Sequence, residues 1–206
     1  PAAAAARGGP DAPAPGARFA GGGARAGETL FSQGASGAGG TAAIQLAKRA
    51  GMTVIGSGGS ERRRALLTAE GADHVVDHTA AGYLDEVTRL PGGKGADLTL
   101  ELPANVNLAA DMDVAAKFGR IIIIGNRGEV TINGRVAMMK DLDIRGIALW
   151  NADPALVRDI MADIIAGLKD GSLRPIVGRE MPLAEAGASH KAVLEPGAYG
   201  KIVLVP

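Results

Sequence analysis

Thr29-Leu30-Phe31-Ser32-Gln33-Gly34-Ala35-Ser36-Gly37-Ala38-Gly39-Gly40-Thr41-Ala42-Ala43-Ile44-Gln45-Leu46-Ala47-Lys48 reads as a short β run, a glycine-dense turn and a largely apolar helix. A bound pyrophosphate requires that order. Glycines leave no Cβ between backbone and phosphate, and the first helical turn offers unpaired N–H groups and the positive end of the helix dipole. Against the fingerprint G-x-G-x-x-G, Ala35 takes the first position, and Gly37 and Gly40 take the second and third. A glycine turn can equally be structural only. What separates the two readings is whether strands and helices keep alternating beyond it.

They do. Residues 52–56 are β-rich, and Ser60 caps a helix running to Glu70 and ended by Gly71, with Ala65, Leu66 and Ala69 as its inward stripe. Residues 74–77 form a third strand, Leu84, Val87 and Leu90 mark a helix closed by Pro91-Gly92-Gly93, and residues 96–101 form a fourth strand. Leu108, Met112 and Ala115 or Ala116 recur at helical spacing, which predicts a helix over 105–117 ended by Gly119. Residues 120–125 include four consecutive isoleucines, as expected of a strand covered on both faces. Residues 143–150 read as a sixth strand, at an edge, and Asp153-Pro154 opens a helix that lasts to Gly171. This alternation predicts an α/β fold, a Rossmann-type doubly wound six-stranded parallel sheet with helices on both faces and ligands at the carboxyl ends of the strands. Residues 1–26, almost all Ala, Gly, Pro and Arg, are expected to be poorly ordered; residues 27–177 form the dinucleotide-binding domain, and 178–206 a C-terminal helix and strand.

Composition narrows the function. Lys and Arg number 22 and so do Asp and Glu, so net charge favours neither nucleic acid nor an anionic membrane surface. Without cysteine there is no disulfide, no Cys-ligated zinc and no thiol nucleophile, and His74, His78 and His190 show no metal-ligand spacing. No metal site is expected. No apolar run approaches the ~20 residues of a membrane span, which makes the cytoplasm the expected compartment. No side chain stands out as a general acid or base, and none is assigned a catalytic role.

The end of the second strand decides which nucleotide. A carboxylate there would bond the ribose 2′-hydroxyl and repel a 2′-phosphate. The chain instead runs through Ser57-Gly58-Gly59-Ser60, reaches no carboxylate until Glu61, and continues Arg62-Arg63-Arg64. Hydroxyls, backbone amides and guanidiniums suit a dianion, so NADP(H) is favoured over NAD(H), with Arg63 as the chosen contact. A solvated helix face is the alternative reading of these arginines.

Several motifs together resemble a known family. Gly27-Glu28-Thr29, the turn with its helix, Gly71-Ala72-Asp73-His74-Val75 and Gly93-Lys94-Gly95-Ala96-Asp97 are similar to the quinone reductases of the medium-chain dehydrogenase/reductase superfamily. Residues 101–108, Gly125-Asn126-Arg127-Gly128 and Gly200-Lys201-Ile202-Val203-Leu204-Val205 resemble its zeta-crystallin type. The resemblance, from about Ala26 to the C-terminus, implies a zinc-independent, homo-oligomeric enzyme passing a hydride from NADPH to a quinone. Carried over by position, Ser36, Gly37, Ala38, Gly39 and Gly40 would hold the pyrophosphate, Gly59 and Arg63 the 2′-phosphate side, and His78 the adenosine. Asn105 and Asn107 would lie after the fourth strand, Gly125, Asn126 and Arg127 after the fifth, and Lys201 would approach from the C-terminal return. Each has a plainer alternative: His78 a loop cap, the asparagines helix caps, Arg127 a surface charge, Lys201 a strand flank.

The chain also departs from the pattern. The family has Gly-Val at Ala38-Gly39, an aliphatic residue at Ser32, whose hydroxyl would need a core partner, and no proline at Pro103. It also carries a barrel-like catalytic domain ahead of the nucleotide-binding one, which residues 1–26 cannot replace, so this chain is expected to supply the cofactor-binding part. Its C-terminal strand is then exposed or paired with another chain, and the strand through Ile144 and Trp150 can pair with its copy in an oligomer. A non-catalytic NADPH-binding protein and an enoyl-type reductase are the competing functions.

Overall fold

The computed structural model describes residues 23–90 and 92–206. Expectations for residues 1–22 and for Pro91 lie outside them. Six strands make one parallel sheet: β1 (Thr29–Ser32), β2 (Thr53–Ser57), β3 (His74–Val76), β4 (Ala96–Glu101), β5 (Ala115–Ile123) and β6 (Asp143–Gly146), in the order β3-β2-β1-β4-β5-β6. The helices are α1 (Ala38–Arg49), α2 (Glu61–Ala69), α3 (Tyr83–Arg89), α4 (Ala104–Val114), α5 (Gly134–Lys140), α6 (Pro154–Asp170) and α7 (Ala186–Ala192). The sheet is doubly wound as the alternation predicts, and the strand order reverses between β1 and β4, where such sheets bind ligands.

Alternating side chains explain the two layers. Leu30 and Val54 point to one face and pack with Ile44, Ala47, Leu98 and Ile122, while Phe31 and Ile55 point to the other and pack with Val76 and Val87. Leu108 and Met112 of α4 close over Ile121 in a third cluster. Ala24, ahead of β1, is fully buried in the first.

Four local expectations are corrected. The helix predicted to reach residue 117 ends at Val114, and Ala115 already pairs with Ala96 across a register shift. Ala115 and Ala116, buried on opposite faces of the strand, suit a strand covered on both sides as well as a helix stripe, so spacing alone misassigns them. The sixth strand stops at Gly146, because its partner β5 ends at Ile123, which still accepts a bond from Ile147. Trp150 lies beyond it in a 3-10 turn (Leu149–Asn151) and is exposed. In α2 the inward residues are Leu66 and Leu67, with Ala65 and Ala69 exposed: the larger side chains take the buried face. Finally, the buried Ser32 hydroxyl finds no hydrogen-bond partner among the described residues.

The C-terminal strand is paired within the chain: β8 (Lys201–Val205) lies parallel to β7 (Val177–Pro182) in a separate two-stranded sheet. β7 is not foreseen by the sequence pattern. No helix among the described residues is long and apolar enough to cross a membrane.

Phe118, inside β5, adopts φ 62 with its side chain exposed. A left-handed backbone costs an L-residue about 1–2 kcal/mol and costs glycine little. Phe118→Gly is therefore expected to raise stability by about 1 kcal/mol in urea denaturation.

Candidate functional site

The glycine turn supplies the first group of site residues. Its left-handed residue is Gly34, at φ 57. Ala35 is outside that region, which is why alanine fits the fingerprint's first position. Gly37 precedes α1 as its N-cap with no side-chain cap bond, and the first turn (Ala38, Gly39, Gly40) holds no acidic residue. A Cβ on Gly40 would be driven into the backbone of Ala35, so glycine there lets α1 start directly against the turn. Open N–H groups, no competing carboxylate and close backbone approach form a cradle that fits a pyrophosphate.

The second group lies at the ends of β2 and β3. The Ser57 hydroxyl accepts from the Gly34 N–H at 2.9 Å and lies 3.1 Å from His78 Nδ1, which ties the glycine turn to the loop after β3. Burial holds the His78 imidazole below its ordinary pKa, and nearby Arg63 and Arg64 act in the same direction against the pull of Asp77. His78 Nε2 would lie 2.6 Å from a Cβ on Gly59, so the imidazole and the Gly58-Gly59 loop fit only without a side chain there. Arg64 donates to Asp77 at 2.6 Å and to the Gly58 carbonyl at 3.2 Å. Arg63 has no carboxylate partner among the described residues; its guanidinium reaches Gly197.

The third group closes the ends of β4 and β5. Glu101 accepts through its carbonyl from the Ile124 N–H at 2.8 Å, Ala104 N–H donates to the Gly125 carbonyl at 3.1 Å, and Arg127 N–H donates to Asn105 Oδ1 at 3.1 Å. A Cβ on Gly125 would collide with the Leu102 carbonyl. Asn126 donates to the Gly128 carbonyl at 2.7 Å, while the Arg127 side chain is exposed. The Asn107 amide donates weakly to Glu101 Oε1, at 3.4 Å.

Behind this loop sits a pair of carboxyls that the sequence reading passed over. Glu101 and Asp111 are both fully buried, side by side, and each acts on the other's carboxyl. Gln33 Nε2 donates to Asp111 Oδ1 at 3.0 Å, and the Tyr83 hydroxyl donates to Gln33 Oε1 at 3.2 Å. Loss of water, then the bond to and repulsion from Asp111, push the Glu101 carboxyl up to about 9; burial also raises Asp111. Glu101 Oε2 and Asp111 Oδ2 have no hydrogen-bond partner among the described residues, an arrangement that suits one proton shared between the two carboxyls. The available signal was Asp111 on the same inward stripe as Leu108 and Met112.

All three groups lie at the carboxyl ends of the strands, where a dinucleotide crosses such a sheet. Lys201 lines a cleft with Ala38 and Thr41 beside the first turn of α1. Other motif residues hold the scaffold instead. Asp73 accepts from Val54 N–H and Lys48, both at 2.7 Å, and Asp97 accepts from Thr29 N–H at 2.8 Å.

A family model described as zinc-binding dehydrogenase matches residues 39–166, more than half of the chain. The chain is 36% identical over 182 residues to quinone oxidoreductase of Sus scrofa and 34% identical to that of Homo sapiens, each match covering 88% of this chain and 55% of the relative. The solved quinone oxidoreductase of Thermus thermophilus, studied also in complex with NADPH, superposes with a TM-score of 0.78 at 32% identity, covering 89% of this chain and 59% of that one. A structure described as an NAD-dependent alcohol dehydrogenase superposes with a TM-score of 0.80 at 32% identity, covering 88% and 52%. The chain thus spans about half the length of the curated relatives it matches. Zinc, which the family's description implies, does not fit the donors here: the chain has no cysteine, and among the described residues no three His, Cys, Asp or Glu side chains could hold a metal together. The six-stranded parallel sheet, the glycine turn before α1 and these matches agree: the chain belongs to the zinc-binding dehydrogenase family, within the medium-chain dehydrogenase/reductase superfamily.

Proposed function

We propose that this chain is the NADPH-binding half of a zinc-independent quinone oxidoreductase. The observation that carries the reading is the uncapped, acid-free start of α1, set against a glycine where no Cβ fits and followed by an arginine-flanked loop with no carboxylate at the end of β2. In this reading Ser36, Gly37, Ala38, Gly39 and Gly40 hold the pyrophosphate, Gly59 and Arg63 the 2′-phosphate side, and His78, neutral at pH 7, the adenosine. Asn105, Asn107, Gly125, Asn126 and Arg127 form the floor under the nicotinamide, and Lys201 approaches from β8.

Bound NADPH supplies the hydride. The chain's residues bind and orient the dinucleotide, because backbone donors fixed at strand ends leave it little freedom relative to an acceptor. The quinone needs a second wall that excludes water, which the reading assigns to a catalytic domain preceding residues 27–177; residues 178–206 return toward it. No residue of this chain is given the role of acid or base. The reading also places the enzyme in the cytoplasm as a homo-oligomer joined through the free edge of β6. Exposed Trp150, just beyond that edge, would shift its emission on assembly.

Oxidation of NADPH by the chain joined to a catalytic domain of the family, offered a small quinone or an enoyl thioester, tests the reading. The expected result is oxidation that depends on the quinone. Turnover of the thioester alone would move the chain to the enoyl reductases, and bound NADPH left unconsumed with either would leave a binding protein.

A further inference from the structure

A segment outside the expected site lies across it. The Gly200 N–H donates to the Ser36 carbonyl at 2.7 Å, the Ser36 hydroxyl donates to the Ala198 carbonyl at 2.7 Å, and Gly200 forms a β-bridge with Gly37. The same strap meets two arginines of the α2 start, Arg62 and Arg63, neither of which has a carboxylate partner among the described residues. The Arg62 guanidinium lies 4.3 Å from the centroid of the Tyr199 ring, and that of Arg63 rests against Gly197, whose φ is 93. Residues 197–200 therefore join the phosphate turn to the start of α2.

We propose that this strap is part of the nucleotide site, and that Gly197 and Tyr199 are specificity-determining residues: they position Arg63 and Arg62 to receive the 2′-phosphate of the dinucleotide. The inference rests on the dinucleotide reading above. An unpaired arginine on an exposed helix start samples many rotamers, and a phosphate must order it on binding. Stacking on Tyr199 and contact with Gly197 restrict two such side chains in advance. Neither bears a carboxylate that the phosphate would have to displace, unlike Arg64, which is already bonded to Asp77. Gly197 has a positional reason as well. A Cβ there would meet the tip of the Arg63 side chain on a backbone that only glycine adopts freely, so a larger residue would push the guanidinium away.

Dissociation constants of NADPH and NADH for the wild-type chain and for Tyr199→Ala, Tyr199→Phe and Gly197→Ala test the proposal. Tyr199→Ala is expected to weaken NADPH about fivefold and to leave NADH unchanged, while Tyr199→Phe, which keeps the ring, behaves as wild type. Gly197→Ala is expected to weaken NADPH selectively too. Equal losses for both dinucleotides, or an unchanged NADPH constant in Tyr199→Ala, would overturn the strap's role and leave the nucleotide reading standing. Equal wild-type affinities would also overturn it, while no binding of either dinucleotide would sink both. Should the variants fold poorly, wild-type hydrogen exchange answers: NADPH is expected to slow the Gly200 and Lys201 amides more than NADH does, and identical protection contradicts the proposal.

Discussion

Gly40→Ala is expected to abolish saturable dinucleotide binding and to lower stability by about 3 kcal/mol. The added methyl meets the backbone of Ala35 rather than a side chain that can rotate away, so α1 must lift from the turn or the turn must open. Either movement pulls the first-turn amides from where a pyrophosphate would sit. Gly187→Ala is the control. Gly187 lies in α7 with open space around it, and alanine there is expected to add up to about 1 kcal/mol through helix propensity. The same chemical change should act with opposite sign at the two positions, read by urea denaturation and by titration. A Gly40→Ala protein with wild-type affinity and stability would mean that the cradle is not the site.

Stability should fall as pH rises from about 4.5 to about 9, following the Glu101 carboxyl. The folded chain holds the Glu101 proton up to about 9, whereas the unfolded chain releases it near the ordinary glutamate value. Within that window the folded state binds more protons, so each pH unit removes up to about 1.4 kcal/mol of stability. The contribution is complete below the unfolded pKa and gone above the folded one. Asp73 and Asp170, both held below the usual carboxylate range, act in the opposite sense and only as pH falls into the acid range, so the two effects separate. Glu101→Gln carries no titrating proton and should flatten the decline. Denaturation midpoints from pH 5 to 9 give the comparison, and an unchanged slope in Glu101→Gln would place the pH dependence elsewhere.

What the sequence disclosed follows from how locally each feature is determined. The strand, glycine turn and uncapped helix start were legible because they are contiguous, and β5 because Ile121, Ile122, Ile123 and Ile124 suit only a strand covered on both faces. The end of β6 was not, since it depends on where its neighbour stops. Ala115 and Ala116 misled because small buried residues serve helix and strand equally. Asp73 and Asp97 helped carry the family resemblance, yet they cap strand starts, away from the site. The Glu101–Asp111 pair and the meeting of Arg62 with Tyr199 are long-range juxtapositions that no spacing rule reaches.

Calorimetric titration of the chain with NADPH and with NADH tests the account most directly. The cradle and the arginine-flanked loop predict one saturable site per chain, with NADPH bound about tenfold more tightly than NADH, a difference that shrinks as salt rises. Saturation by neither dinucleotide, or equal affinity for both, would contradict it.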